Sequence, residues 1–307
     1  MCGVFGSRWS RRVSENAPVR SHPVGNVTFS IQVFVSFSLL LNLTACTENA
    51  APPQIETYAY SSAPTAARCE AGARIGRAGA SDGEATAEGL RYHVRTPSNY
   101  DATIAHPLLM VYAAAGQSGL ASERMTGLTP TATASGFVVA YADHRSLGIP
   151  AVEQLGTIPG LVAKKWCIDE KRVFVTGHSD GGTASLALAV LDKTKKVPAA
   201  IAPSAAGWTG KDLEAYHCPA PIPVMVMHGA NDSLFPGWGA QTSAWWAACN
   251  GCDAAKTKKL EGGCVAYQGC ASGGTTLYCE GAGSHRDWPG LNRLMIEFFT
   301  HSERFQQ

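Results

Sequence analysis

Residues 172–191 read RVFVTGHSDGGTASLALAVL. The first five, RVFVT, form a short apolar run of the kind that fills a buried strand. The last nine, TASLALAVL, are rich in Ala and Leu and predict a buried helix. Between them stands Gly177-His178-Ser179-Asp180-Gly181, with Gly182 after it. This is the pattern G-x-S-x-G. A serine hydroxyl is a weak nucleophile until a base takes its proton. A fold that uses one presents it on a tight strand-to-helix turn, where flanking glycines let strand and helix approach without a clashing Cβ. Ser179 is therefore the candidate nucleophile. The bland alternative is a glycine-rich turn with an incidental serine. A strand before and a helix after weigh against it.

Outward from this turn, strand and helix signals alternate. Residues 91–96 alternate polar and apolar, as a half-buried strand does. Residues 107–112 (PLLMVY), 137–141 (FVVAY), 199–203 (AAIAP), 223–228 (PVMVMH) and 275–279 read as further strands. Residues 158–166, 241–248 and 291–301 have helical character. Short apolar strands alternating with helices predict an α/β fold with a mostly parallel central sheet and helices on both faces.

On such a sheet the acid follows the nucleophile and the base follows the acid. Asp232, in His228-Gly229-Ala230-Asn231-Asp232, sits just past the PVMVM strand and is the acid candidate. It would orient an imidazole and stabilise its charged form; a turn or capping Asp is the alternative. Two histidines lie beyond it, His285 and His301. His301 falls at the end of the last helix, where a surface or dipole role is expected. His285, in Gly281-Ala282-Gly283-Ser284-His285, is assigned the general base. His178 is expected to point away from the reaction. His228 is expected to shape the acid loop, and His144 to line the pocket or a surface loop. An oxyanion needs two backbone donors. Asp180 supplies one. Ala115, in the Ala113-Ala114-Ala115-Gly116-Gln117 loop, is chosen for the other.

The chain has 307 residues, 45% hydrophobic and 16% charged, with a net charge of +1. That composition fits a folded domain and lacks the basic stripe of a nucleic-acid binder. Residues 1–46 read as a targeting segment: Arg8, Arg11, Arg12 and Arg20 precede an apolar stretch at 29–43. It ends in Leu43-Thr44-Ala45-Cys46, which resembles a bacterial lipobox with Cys46 as the lipidated residue. Cleavage after Ala45 as an ordinary signal peptide is the alternative. The only expected membrane attachment is through that lipid. Residues 47–66 are rich in Ala, Pro, Ser and Thr and read as a flexible tether, leaving 67–307 as the catalytic domain. Setting Cys2 and Cys46 aside leaves eight cysteines, an even number that suggests disulfides in an exported chain.

Order and spacing of RYHVRTPSNYD, the loop ending GQSG, CIDEKRVFVTGHSDGG, PIPVMVMHGANDSLFP, AACNGC, and GAGSH followed by WPG resemble the α/β-hydrolase esterases. That family includes polyhydroxybutyrate-depolymerase-like enzymes and feruloyl and acetylxylan esterases. The resemblance covers about residues 88–300. It implies the triad Ser179, Asp232, His285, an ester substrate that can be polymeric, and no metal or organic cofactor. It also implies a Cys252–Cys270 disulfide; a Cys264–Cys279 bridge is suggested by hairpin-like spacing alone. Two departures stand out. Ala113-Ala114 replaces the family's His-Gly before the oxyanion donor, and Arg286 and Asp287 separate His285 from Trp288-Pro289-Gly290, one residue more than the family usually has. About 20 residues separate the strands near Pro203 and Pro223, so no large lid domain is expected. The rivals are a serine peptidase on the same fold and an inactive cell-surface binding protein.

Overall fold

The computed structural model of the protein describes residues 68–306. The expected signal peptide with Cys46 and the tether at 47–66 lie outside the described residues. Ten strands join in one sheet: β1 (Ala80–Ala85), β2 (Arg91–Arg95), β3 (His106–Tyr112), β4 (Val138–Ala142), β5 (Ile168–His178), β6 (Ala200–Ser204), β7 (Val224–Gly229), β8 (Asp253–Lys259), β9 (Cys264–Gln268) and β10 (Thr276–Gly281). Their spatial order is β1-β2-β4-β3-β5-β6-β7-β10-β9-β8. From β4 to β10 the neighbours run parallel. Antiparallel strands finish both ends.

Eight helices accompany them: α1 (Gly119–Thr126), α2 (Leu128–Ala134), α3 (Ile149–Leu155), α4 (Ile158–Lys165), α5 (Asp180–Val190), α6 (Gly210–Leu213), α7 (Trp238–Cys249) and α8 (Asn292–His301). The strand period of two divides the core into two layers. In β3, Leu108, Met110 and Tyr112 face one layer, and Leu109 and Val111 the other. β7 repeats this, with Val224 and Val226 on the first side and Met225 and Met227 on the second. The first layer holds the apolar faces of α3, α4 and α5; the second holds those of α2 and α8. Covered on both faces, β3, β4 and β6 are buried throughout, so their sequences read as continuous apolar runs.

α5 begins at Asp180, three residues earlier than its Ala/Leu pattern suggests, so the helix starts directly after Ser179. The glycines make this possible. A Cβ on Gly181 would lie 1.9 Å from the Tyr112 carbonyl oxygen, and one on Gly177 2.6 Å from the same atom. A Cβ on Gly182 would meet the Ser204 carbonyl oxygen at 2.4 Å. Helix α5 thus leans on the backbone ends of β3 and β6.

The eight cysteines form four bridges: Cys69–Cys167, Cys218–Cys249, Cys252–Cys270 and Cys264–Cys279. The last two fasten the antiparallel end of the sheet, around β8, β9 and β10. The segment joining β6 to β7 carries only the one-turn α6, which leaves no room there for a lid. Among the described residues no helix is long and apolar enough to cross a membrane.

Among the buried sheet histidines are His106 at the start of β3 and His178 at the end of β5. Burial disfavours the imidazolium and holds both below the ordinary histidine value of 6.5. A depressed folded value means that their contribution to stability is present above about pH 6.5 and is lost as pH falls through the folded value. The thermal midpoint is therefore expected to drop between pH 7.5 and 5, and His106→Asn to flatten part of that slope. In a separate comparison by thermal melting, Gly181→Ala is expected to destabilise by about 3 kcal/mol or more, because backbone atoms cannot give way. Gly160→Ala, in α4 with open space around it, is expected to stabilise by about 0.5 kcal/mol.

Candidate active site

Ser179 caps α5 with φ 56° and ψ −117°, a left-handed conformation that non-glycine residues rarely adopt. Backbone bonds on both sides hold it there. Its N–H donates to the Ser204 carbonyl (3.0 Å), and its own carbonyl accepts from the Thr183 N–H (2.9 Å) and hydroxyl (3.1 Å). The strained turn lifts the hydroxyl clear of the sheet.

Two loops meet that hydroxyl. One follows β7 and carries Asp232; the other follows β10 and carries His285. Because β7 and β10 are parallel neighbours, both loops leave the same edge of the sheet. They are zipped together by Ala230 N–H to the Gly281 carbonyl (2.7 Å), Asn231 N–H to the Gly283 carbonyl (3.1 Å) and the Asn231 side-chain amide to the Ala282 carbonyl (2.7 Å). The approach is close enough that a Cβ on Gly229 would lie 2.2 Å from the Gly283 oxygen. The structure brings Ser179, His285 and Asp232 into one chain of hydrogen bonds. Ser179 Oγ lies 3.0 Å from His285 Nε2, and His285 Nδ1 lies 2.8 Å from Asp232 Oδ2.

The Asp232 carboxylate is buried. Burial alone would raise its pKa. The His285 hydrogen bond and the Phe235 N–H outweigh that effect and hold it below the ordinary carboxylate value. Its Oδ1 accepts from the N–H groups of Leu234 and Phe235, both at 2.9 Å. Acceptor-only when ionised, it leaves His285 Nδ1 as the donor, so Nε2 is the ring's free base. The Phe235 ring stands edge-on to the His285 ring, with centroids 4.7 Å apart. Asp287, between His285 and Trp288, accepts from the Ser284 N–H and hydroxyl at 2.7 Å each and closes this loop.

The oxyanion-loop residue Ala115 lies in a turn closed by Gln117 N–H to the Ala114 carbonyl (3.0 Å), with Gly116 at φ 69°. The N–H groups of Ala115 and Asp180 have no acceptor among the described residues.

Other histidines are more engaged than the sequence suggests. The His178 ring bonds no reacting side-chain atom, but its Nε2 lies 2.6 Å from the His285 carbonyl oxygen, and its Nδ1 3.1 Å from Ser204 Oγ. Kept neutral by burial, it donates from Nε2 and accepts the Ser204 hydroxyl at Nδ1. It thereby steadies the backbone of His285. His228 reaches the Phe235 carbonyl (2.9 Å) and so shapes the acid loop. His144 lies 3.0 Å from Asp180 Oδ2. Trp208, Trp245 and Trp246 are packing residues. Trp246 is fully buried, Trp245 packs against the same core, and Trp208 stacks on Tyr216. Among the described residues no group of three or more His, Cys, Asp or Glu is arranged to hold a metal.

No model of a known protein family matches the chain. It is similar to feruloyl esterase D of Neurospora crassa, 29% identical over 245 residues, covering 68% of this chain and 81% of that protein. Its fold is that of an acetyl xylan esterase from Aspergillus awamori (TM-score 0.54, 17% identity, 69% of this chain and 94% of that one). It is also that of a fluorophosphonate-binding serine hydrolase from Staphylococcus aureus (TM-score 0.52, 14% identity, 73% and 99%). The chain thus has the α/β-hydrolase fold, and its sequence is similar to that of a feruloyl esterase.

Proposed function

We propose that this protein hydrolyses carboxylic esters through an acyl-enzyme, with Ser179 as nucleophile, His285 as general base and acid, and Asp232 as the orienting carboxylate. The hydrogen-bonded chain of these three residues, 3.0 Å and 2.8 Å long at its two links, carries the reading. His285 Nε2 takes the Ser179 proton as Oγ bonds to the ester carbon. The carbonyl oxygen becomes an oxyanion, which the N–H groups of Ala115 and Asp180 receive. Collapse expels the alcohol, which takes the proton from His285. Water repeats the sequence, releases the acid and restores Ser179.

The substrate class we favour is a feruloyl or acetyl ester of a polysaccharide, with short hydroxyalkanoate polyesters as the other option. Support comes from the similarity to a feruloyl esterase and from the form of the surface. A groove of about 770 Å³ opens beside His144, where Glu88, Arg145 and Gln154 stand among apolar surface that includes Pro150 and Ala151. A mixed wall of this kind can meet both the hydroxyls and the ring faces of a sugar chain. The four disulfides fit an extracellular protein. Lipidation at Cys46 remains part of the proposal.

Ser179→Ala is expected to cut hydrolysis of p-nitrophenyl acetate by about 10⁴-fold or more and to abolish fluorophosphonate labelling, and Asp232→Asn to cost about 10⁴-fold in kcat. Methyl ferulate, acetylated xylan and hydroxybutyrate oligomers, run on the wild type beside these variants, identify the acyl group. A wild type inert towards all these esters, or a Ser179→Ala variant as fast as wild type, overturns the reading.

A further inference from the structure

We propose that His144 is a positioning residue for ester hydrolysis, joining the two backbone donors of the oxyanion site into one frame. The inference rests on the ester-hydrolase reading above and adds a residue to it. It begins with Tyr141-Ala142-Asp143-His144, where β4 runs out. The Asp143 N–H donates to the Arg91 carbonyl (2.9 Å) and prolongs the β2–β4 ladder by one residue. The two residues Asp143 and His144 are therefore set by the sheet rather than by a free loop.

From that fixed point three hydrogen bonds reach the oxyanion site. Asp143 Oδ1 accepts from the Gly119 N–H at 2.7 Å and holds the far end of the Ala113–Gly119 loop, at the start of α1. The His144 N–H donates to the Gln117 carbonyl at 3.0 Å. Gln117 is the closing residue of the turn that carries Ala115. The His144 ring makes the third bond, Nε2 to Asp180 Oδ2 at 3.0 Å. A carboxylate accepts and does not donate, so the proton lies on Nε2. One residue thus grips the Ala115 turn with its backbone and Asp180 with its side chain.

The need for such a grip follows from both donors. Asp180 follows Ser179, whose φ of 56° is strained; relaxation of that turn would swing the Asp180 N–H. Ala115 sits in an exposed turn of small residues. Ala113-Ala114 bring no polar side chain to brace it. The brace comes instead from the β4 side. An oxyanion donor works only when it is already aimed at the place where charge develops. Loss of the brace lowers transition-state stabilisation and leaves ground-state binding largely unchanged, so the effect belongs in kcat.

The test is steady-state hydrolysis of p-nitrophenyl acetate, with Ser179→Ala as control and thermal melting to verify folding. His144→Ala is expected to lower kcat by about 10- to 100-fold, less than the roughly 100- to 1,000-fold cost of deleting a whole donor, with KM within about twofold. His144→Gln, which keeps an N–H at similar reach, is expected to recover kcat to within about threefold of wild type. Asp180→Ala removes the other partner of the same bond from a more exposed side chain. It is expected to match His144→Ala, and the double variant to be no slower than the slower single. If His144→Ala does not fold, Asp180→Ala alone decides. Folded variants with wild-type kcat, a loss confined to KM, or a glutamine no better than alanine would overturn the inference. Activity surviving in Ser179→Ala would instead overturn the ester-hydrolase reading beneath it.

Discussion

At the centre of the molecule one helix rests against bare backbone. Gly181 sits where a single added carbon would overlap the Tyr112 carbonyl oxygen at 1.9 Å, and Gly182 meets the Ser204 carbonyl in the same way. No side chain larger than hydrogen fits between α5 and the ends of β3 and β6. That contact sets the pitch of α5, forces Ser179 into its left-handed turn and directs its hydroxyl outward. The loops bearing Asp232 and His285 have only to reach a point that the sheet has already defined. Strain at Ser179 persists because Ser204, Thr183 and the glycines over-determine the turn.

The other half of the site depends on neighbouring strands with parallel direction. β7 and β10 deliver their following loops side by side, and the backbone bonds from Ala230 and Asn231 lock the two loops together. His178 adds a strut from beneath. Its neutral ring links Ser204, at the end of β6, to the His285 carbonyl. Three consecutive strand ends thus support His285, which explains how its imidazole is held within reach of both Ser179 and Asp232.

Legibility in the sequence followed burial. Strands β3, β4, β6 and β7 are covered on both faces, and their apolar runs announce them. The G-x-S-x-G turn is legible because glycine is required there for packing reasons that leave no alternative residue. The order serine, acid, histidine then narrows Asp232 and His285 to a few choices. What stayed hidden is what polar residues build. β1 (ASDGEA) and β8 (DAAKTKK) are mostly exposed edge strands with no hydrophobic pattern to betray them. The short helices α1, α2 and α3 carry Thr, Ser, Gly and Pro that read equally as loop. For His178 and His144 the bonding partners escaped notice for a different reason. Their partners, the His285 carbonyl and the Asp180 carboxylate, are 107 and 36 residues away in the chain, and no local spacing signals such a bond.

The polar borders of the sheet have a use of their own. A ladder of ten strands ends in two rows of backbone groups able to recruit another chain. At one border stands β8, where Lys256, Lys258 and Lys259 crowd onto four successive positions. At the other, β1 interrupts its pairing with β2 at an irregularity between Ser81 and Glu84. Any molecule docking against the first border would have to strip water from ammonium groups, and any docking against the second would find no straight rail to follow. Charge on one border and crookedness on the other thereby work against growth of the sheet by strand addition.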